Sequence, residues 1–318
     1  MDRLLGMSIF VTAVDTGSLA AAARRFRISP AMAGKHLGAL ESRLSARLLH
    51  RTTRRLGLTD AGRIYYERAK RILDDVDDAD REAQALEHSP RGTLRIATPV
   101  TFGALHLGPV LARYLEAYPE VTLEVMASDR YVDLVEQGVD IAIRIGQLAD
   151  SSLMALKLAP CRMIACAAPA FLARHGAPAK PADLRAMRRL AFSESVSPGD
   201  WTFVDARGRR HVIDTPSCLR GNDIQLLVAA ACAGAGVVYG PTFVLGEHLA
   251  AGTLRRVLSN CPSPELAIHA VYPSSRQLST KARNLLDRLL AELGDAPWDD
   301  GLMGSSRVRE RGRWPRGR

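Results

Sequence analysis

Lys35 and His36 stand one turn into a short helical segment whose opening residues are Ser29, Pro30, Ala31 and Met32, and the cluster Arg51, Thr52, Thr53, Arg54, Arg55 follows closely. Ammonium, imidazole, guanidinium and hydroxyl groups of this kind hydrogen-bond to base edges and phosphate oxygens, which is the chemistry of reading a duplex. Ser29, Pro30, Ala31, Met32, Lys35 and His36 would approach the major groove. Arg51, Thr52 and Arg54 would meet phosphates.

Three amphipathic segments are available to position them. Met7, Phe10, Val11 and Val14 give a first helix one apolar stripe, and Leu19, Ala22, Ala23 and Phe26 give the next one, behind Ser18 as its N-cap. After a tight break at Arg27 and Ile28, Ser29 offers a capping hydroxyl and Pro30 a first-turn residue. The third helix then buries Ala33, Leu37, Leu40 and Leu44 and turns Ala31, Met32, Lys35, His36 and Arg43 outward. A plain three-helix core with solvated charges accounts for the same stripes. The basic cluster favours the DNA reading, because it lies between apolar residues 48–49 and 56–58 as a two-stranded wing would.

Charge is distributed unevenly. Residues 1–71 hold 14 Lys/Arg against 5 Asp/Glu, a net of +9, whereas residues 72–88 hold Arg81 against seven acidic residues, a net of −6. Such a reversal keeps polyanion to one part of the chain. It falls inside a long helix opened by Thr59 and running to about His88, in which Tyr65, Ala69, Ile72, Val76, Ala79, Ala83 and Leu86 recur at alternating spacings of four and three. That is a heptad seam asking for a partner helix, although a solvated linker helix would show the same charges. No His or Cys lies among the carboxylates, so a metal site is not expected there.

Residues 4–62 resemble the LysR-type transcriptional regulators through Phe10, Val14, Gly17-Ser18, Ala22-Ala23, Ser29-Pro30, Leu40-Glu41, Leu44, Arg51-Thr52-Thr53-Arg54, Leu58-Thr59 and Ala61-Gly62. The likeness continues to about residue 293 through residues 92–96, Tyr118-Pro119, residues 133–135, residues 140–144 and residues 252–254. Relatives usually carry a β-branched residue and a serine where this chain has Ala33 and Gly34, and a glycine where Ser45 stands. A glycine inside a helix costs about 1 kcal/mol relative to alanine.

From Gly92 onward the pattern is α/β. Residues 94–98, 121–127 and 139–145 read as strands and 101–118 and 133–137 as helices, with a second unit of comparable pieces at 162–239 and a return through 266–271 and 279–293. Ligands of open α/β sheets bind beyond the carboxyl ends of strands, near helix N-termini. Val100, Thr101, Phe102, Ser128, Arg144, Gly146, Asn222 and Asp223 occupy such junctions, where each taken singly reads first as a cap or turn residue and only the set points to a pocket. The resemblance implies that they line an inducer cleft.

The expected fold is therefore an α/β effector domain of two Rossmann-like subdomains, periplasmic-binding-protein-like, preceded by an N-terminal winged helix-turn-helix and a long linker helix. The expected limits are 1–58 for the winged helix, 59–89 for the linker, and 90–293 for the effector domain. Within the last, the first subdomain takes about 90–161 and 268–293 and the second about 162–267. Residues 294–318, rich in Gly, Asp, Pro and Arg, read as a disordered tail. The expected partners are double-stranded promoter DNA, an anionic metabolite and further copies of the chain as homodimer or homotetramer.

Composition narrows the alternatives. The chain has 318 residues, 47% of them hydrophobic, which is enough for two or three real cores. No apolar run approaches the length of a spanning helix, and Asp2-Arg3 opens the chain, so a cytoplasmic protein without membrane association is expected. Cys161, Cys166, Cys218, Cys232 and Cys261 lack CxxC spacing and read as reduced thiols. A transport receptor would require a secretion signal and no helix-turn-helix. An enzyme is not expected, because GxSxG, HExxH, a P-loop and GxGxxG are all missing, and neither a cofactor nor a metal is implied.

Overall fold

The computed structural model describes residues 2–50, 56–84, 89–130, 133–146, 148, 153–193, 201–214, 216–273 and 278–299, and its contacts divide the chain into two units, Met1–Ser89 and Pro90–Arg318. In the first unit, short polar side chains open the helices. The Asp2 carboxylate accepts from the Leu4 and Leu5 amides ahead of α1 (Arg3–Asp15), and Ser18 Oγ accepts from Ala21 ahead of α2 (Leu19–Arg25). Arg27 then takes φ 55°, a left-handed conformation that turns the chain within a few residues. Ser29 Oγ accepts from Met32 and Pro30 occupies the first turn of α3 (Pro30–Leu44).

The three helices cross on small residues. Ala13, Ala22, Ala23 and Ala33 are fully buried with Ile9, which lets the backbones approach closely. A second cluster joins Met7, Phe10, Val11 and Leu40 to Leu48, Leu49 and Ala69. Strands β1 (Leu49–His50) and β2 (Gly57–Leu58) pair antiparallel, and α4 (Asp60–Gln84) follows. Arg51, Thr52 and Arg54 lie outside the described residues.

The entry to β1 is held from two sides. Glu41, buried on α3, accepts from the Leu48 and Leu49 amides at 2.8 and 3.3 Å and from Arg47 Nη1 at 3.1 Å. Thr59 Oγ1 donates to the Arg47 carbonyl at 2.6 Å and accepts from Gly62 N at 2.9 Å. A Cβ at Gly62 would sit 1.9 Å from the Leu48 carbonyl oxygen, so only glycine lets α4 come this close.

The seam expected along α4 is corrected at its start. Tyr65 packs on Phe10 with ring centroids 5.8 Å apart, and Ala69 belongs to the same core, so these two residues face their own unit and not a partner helix. The heptad spacing is real, but the winged-helix core takes its first positions. Among the described side chains of α4, Ile64 and Ile72 are the exposed large hydrophobic ones; Ala79, Ala83 and Leu86 fall outside the described side chains.

In the second unit, β3 (Gly92–Thr98) leads into α5 (Val100–Phe102), a π-helical turn (Gly103–Leu107) and α6 (Gly108–Ala117). Then come β4 (Val121–Ala127), α7 (Leu134–Gln137), β5 (Ile141–Ile145) and β6 (Leu153–Cys161). The chain crosses at Arg162 to a second sheet. That part contains β7 (Met163–Ala167), α8 (Pro169–His175), β8 (Arg189–Phe192), a hairpin of β9 (Trp201–Val204) and β10 (Arg210–Ile213), β11 (Leu219–Gly221), α9 (Ile224–Cys232), β12 (Val237–Pro241), α10 (Thr242–Ala250) and β13 (Arg255–Val257). It returns through β14 (Leu266–Pro273) and α11 (Thr280–Leu293). The strand orders are β4-β3-β5-β14-β6 and β11-β8-β12-β7-β13, both mixed.

Residues 294–299 correct the expectation of a tail disordered from Gly294. A 3-10 turn at Pro297–Asp299 lays the Trp298 ring against Phe102, His106 and Phe243, at centroid distances of 5.9, 4.7 and 6.0 Å, while Asp299 pairs with Arg162 at the crossing between the sheets. One large apolar ring anchors a segment whose average composition is that of a loop. Residues 300–318 lie outside the described residues.

Two outcomes follow for stability. Gly62→Ala forces a side chain into the Leu48 carbonyl and is expected to cost at least about 2 kcal/mol, whereas Gly34→Ala, with nothing within 4 Å of its Cβ, gains about 0.5 to 1 kcal/mol; urea unfolding of both variants followed by far-UV dichroism compares them. Trp298→Ala is expected to cost about 2 kcal/mol in the second unit, read as a lower unfolding midpoint by near-UV dichroism. An unchanged midpoint would mean that the ring cluster stands without it.

Candidate functional site

The outward face of α3 is built by its inward one. Ala33, His36, Leu40 and Glu41 are buried and Leu37 and Leu44 half-buried, a stripe at helical spacing, so Ser29, Pro30, Ala31, Met32, Gly34, Lys35 and Arg43 are exposed on the other side. His36 is a correction: at 8% exposure it is packed with the anchoring stripe and does not present its ring beside Lys35. Its Nδ1 is buried without a hydrogen-bond partner. The spacing of three from Ala33 and four to Leu40 was the available signal. Glu41, which ties α3 to β1, was visible in the sequence only as part of a motif.

In the second unit, the candidate residues stand at the carboxyl ends of β3, β4 and β5 in one sheet and of β11 in the other. The Ser128 amide donates to the Thr98 carbonyl at 2.9 Å, and the Val100 amide donates to Asp129 Oδ1 at 3.2 Å. These bonds bring Val100, Thr101, Ser128 and Asp129 to one corner. Asp129 there places a carboxylate at the positive end of the α5 to α6 helix run. Ser128 Oγ itself accepts from the Arg130 amide. Val100 is exposed, and Thr101 is buried directly behind it.

Arg144 and Gly146 end β5. Gly146 has φ 123° and its amide donates to Ala267 of β14, a conformation open to glycine. Asn222 and Asp223 belong to the other sheet, exposed, with Asp223 Oδ1 accepting from Gln225 at 2.8 Å as the cap of α9. The capping role that its position allowed is therefore in use.

Phe102 is a second correction. It is 0% exposed, enclosed by His106, Phe243 and Trp298, so its ring is packed inside and not presented at the surface. His106 Nε2 lies 2.9 Å from the Phe243 carbonyl, and burial holds its pKa below the ordinary imidazole value. Helix position alone does not tell which of residues 100–102 faces outward, because the enclosing rings come from distant segments.

Among the described residues no group of three or more His, Cys, Asp or Glu is placed to hold a metal ion, and no helix is long and apolar enough to cross a membrane. Cys161, Cys166 and Cys261 are buried, and burial pushes the Cys161 and Cys166 thiols up to about 12. Cys218 is exposed, and its thiol donates to the Arg189 carbonyl.

Residues 4–63 match the family described as bacterial regulatory helix-turn-helix protein, lysR family, and residues 87–294 match the LysR substrate binding domain. An uncharacterized HTH-type transcriptional regulator of Haemophilus influenzae is 35% identical over 286 residues, spanning 90% of this chain and 99% of that protein. The HTH-type transcriptional activator AaeR of Escherichia coli K12 is 33% identical over 91% of this chain and 93% of its own length. Among solved structures, CrgA of Neisseria meningitidis, a LysR-type transcriptional regulator, superposes with a TM-score of 0.60 at 32% identity, covering 91% of this chain and 98% of that one. The chain belongs to the LysR-type transcriptional regulators, proteins with a DNA-binding helix-turn-helix domain and an effector-binding domain rather than enzymes.

Proposed function

We propose that this protein is a homo-oligomeric regulator in the cytoplasm that grips promoter DNA through α3 and the wing, takes a small anionic metabolite in its second unit, and thereby changes the arrangement of the DNA-bound oligomer. The observation that carries the DNA reading is the division of α3 into a buried stripe and an exposed face bearing Lys35. Lys35 reads bases, while Ser29, Pro30, Ala31 and Met32 approach the groove. Arg51, Thr52 and Arg54 touch phosphates, a role resting on their sequence between β1 and β2. Gly34 and Gly38 have open space at their Cβ positions, which leaves that face of the helix accessible.

Association between copies is supported by apolar surface. Val125 and Met126 on β4, the edge strand of the first sheet, are 47% and 42% exposed, and Leu226 on α9 is 53% exposed. Exposed edges with apolar side chains are ordinarily covered in the working assembly. For the effector, Val100, Thr101, Ser128, Gly146 and Asn222 provide polar and backbone groups, and Arg144 the positive charge. Binding shifts the oligomer only if one arrangement holds the metabolite more tightly than the other.

Two measurements test this reading. Lys35→Ala is expected to weaken binding to a duplex selected from genomic fragments by about 1 to 3 kcal/mol and binding to a scrambled duplex by much less, measured by fluorescence anisotropy across a salt series; equal losses would make Lys35 a phosphate contact. Thr101→Val is expected to abolish the transcriptional response to the metabolite while basal DNA binding persists. A normal response in a reporter assay would reduce the Thr101 hydroxyl to a packing role and move the effector site elsewhere.

A further inference from the structure

Three basic side chains line up across the first sheet. Arg144 of β5 stands opposite His269 of β14, and His269 stands opposite Lys157 of β6. The pairing shifts between Ile268 and His269, leaving Leu158 as an extra residue on β6, and such a bulge re-aims side chains at functional sites. Residues directly opposite have Cβ atoms about 4.5 to 5.5 Å apart on the same face, so the row spans about 10 Å.

The surroundings suit a ligand. Neighbours two residues away on the same face are Ala142, Gly146, Ala155, Ala267 and Val271; Ala142 and Val271 are buried against Leu134 and Val139, whereas Ala155 is exposed, so the open side of the row lies toward β6. Strand β6 is the sheet edge, and Ala155 and Lys157 on it are exposed. His269 Nδ1 is buried without a hydrogen-bond partner. Burial and the Lys157 charge hold the imidazole below its ordinary pKa.

We propose that Arg144, His269 and Lys157 form a binding row for a small organic anion bearing carboxylate or phosphate groups, on the first sheet next to the strand ends of the cleft. The proposal deepens the effector reading and rests on it in one respect, that Arg144 belongs to both. The guanidinium takes an anionic group bidentately, the ammonium of Lys157 takes a second one, and an imidazole N–H between them donates to either. The row therefore favours a dianion long enough to reach both ends.

The test uses the full chain with succinate, inorganic phosphate and uncharged succinamide at constant ionic strength, read by thermal shift and calorimetry. Succinate or phosphate is expected to raise the unfolding midpoint and succinamide to leave it unchanged. Lys157→Met is expected to weaken anion binding about tenfold and His269→Gln by several-fold, Lys157→Arg to retain it, and Arg207→Met, on the exposed β9 to β10 turn, to leave it as in the wild type. A response to succinate alone assigns the row to carboxylates, and a response to phosphate alone to phosphorylated acids. No stabilisation by either anion at about 10 mM overturns the proposal, since a site this weak would add little to stability. Equal binding by wild type, Lys157→Met and His269→Gln overturns it too, leaving a solvated basic face. Unliganded midpoints of the variants separate lost binding from lost fold. If Thr101→Val loses the transcriptional response while Lys157→Met binds both anions normally, the cleft stands and the row falls; the converse leaves the row standing alone.

Discussion

Glu41 carries the geometry of the DNA-binding unit. Its carboxylate is buried on the inner face of α3, yet it accepts two backbone amides at the entrance to β1 and the Arg47 guanidinium beside them. A buried carboxylate is tolerable only when its oxygens are satisfied in this way. In turn the two amides would be unsatisfied without it. The helix that bears Lys35 and the start of β1 are therefore one mechanical piece, and the Thr59 and Gly62 contacts extend that piece into α4.

The second unit solves a different problem, because its two sheets are joined by only two passages of chain, from β6 into β7 and from β13 into β14. Rings reinforce that junction. Phe102 and His106 come from the helix run after β3, Phe243 from α10 and Trp298 from beyond α11, and the Asp299 to Arg162 pair lies at the first passage. Phe102 is thereby buried while its neighbour Val100 stays at the surface.

Much of this was legible in the amino-acid sequence, for local reasons. Ser18, Ser29 and Pro30 announce helix starts because a hydroxyl can take a free amide and proline has no amide to lose. Alternation and apolar runs marked β3, β4 and β5. By contrast, β6 was missed, since LMALKLAPC neither alternates nor avoids proline, and α10 was missed because TFVLGEHLA starts buried immediately after β12 with no loop between them.

Periodicity determines which residues of one element share a face, and through the caps and the charge reversal the sequence alone sufficed for a winged helix, a long helix and an α/β domain. It does not determine what lies opposite that face. Tertiary packing decided that His36 points inward, that Tyr65 and Ala69 serve their own core, that Trp298 anchors the segment after α11, and that Arg144, His269 and Lys157 stand in one row. Each of these depends on partners distant along the chain. Contacts of that kind are set by which buried surfaces fit together, a quantity that no local spacing encodes.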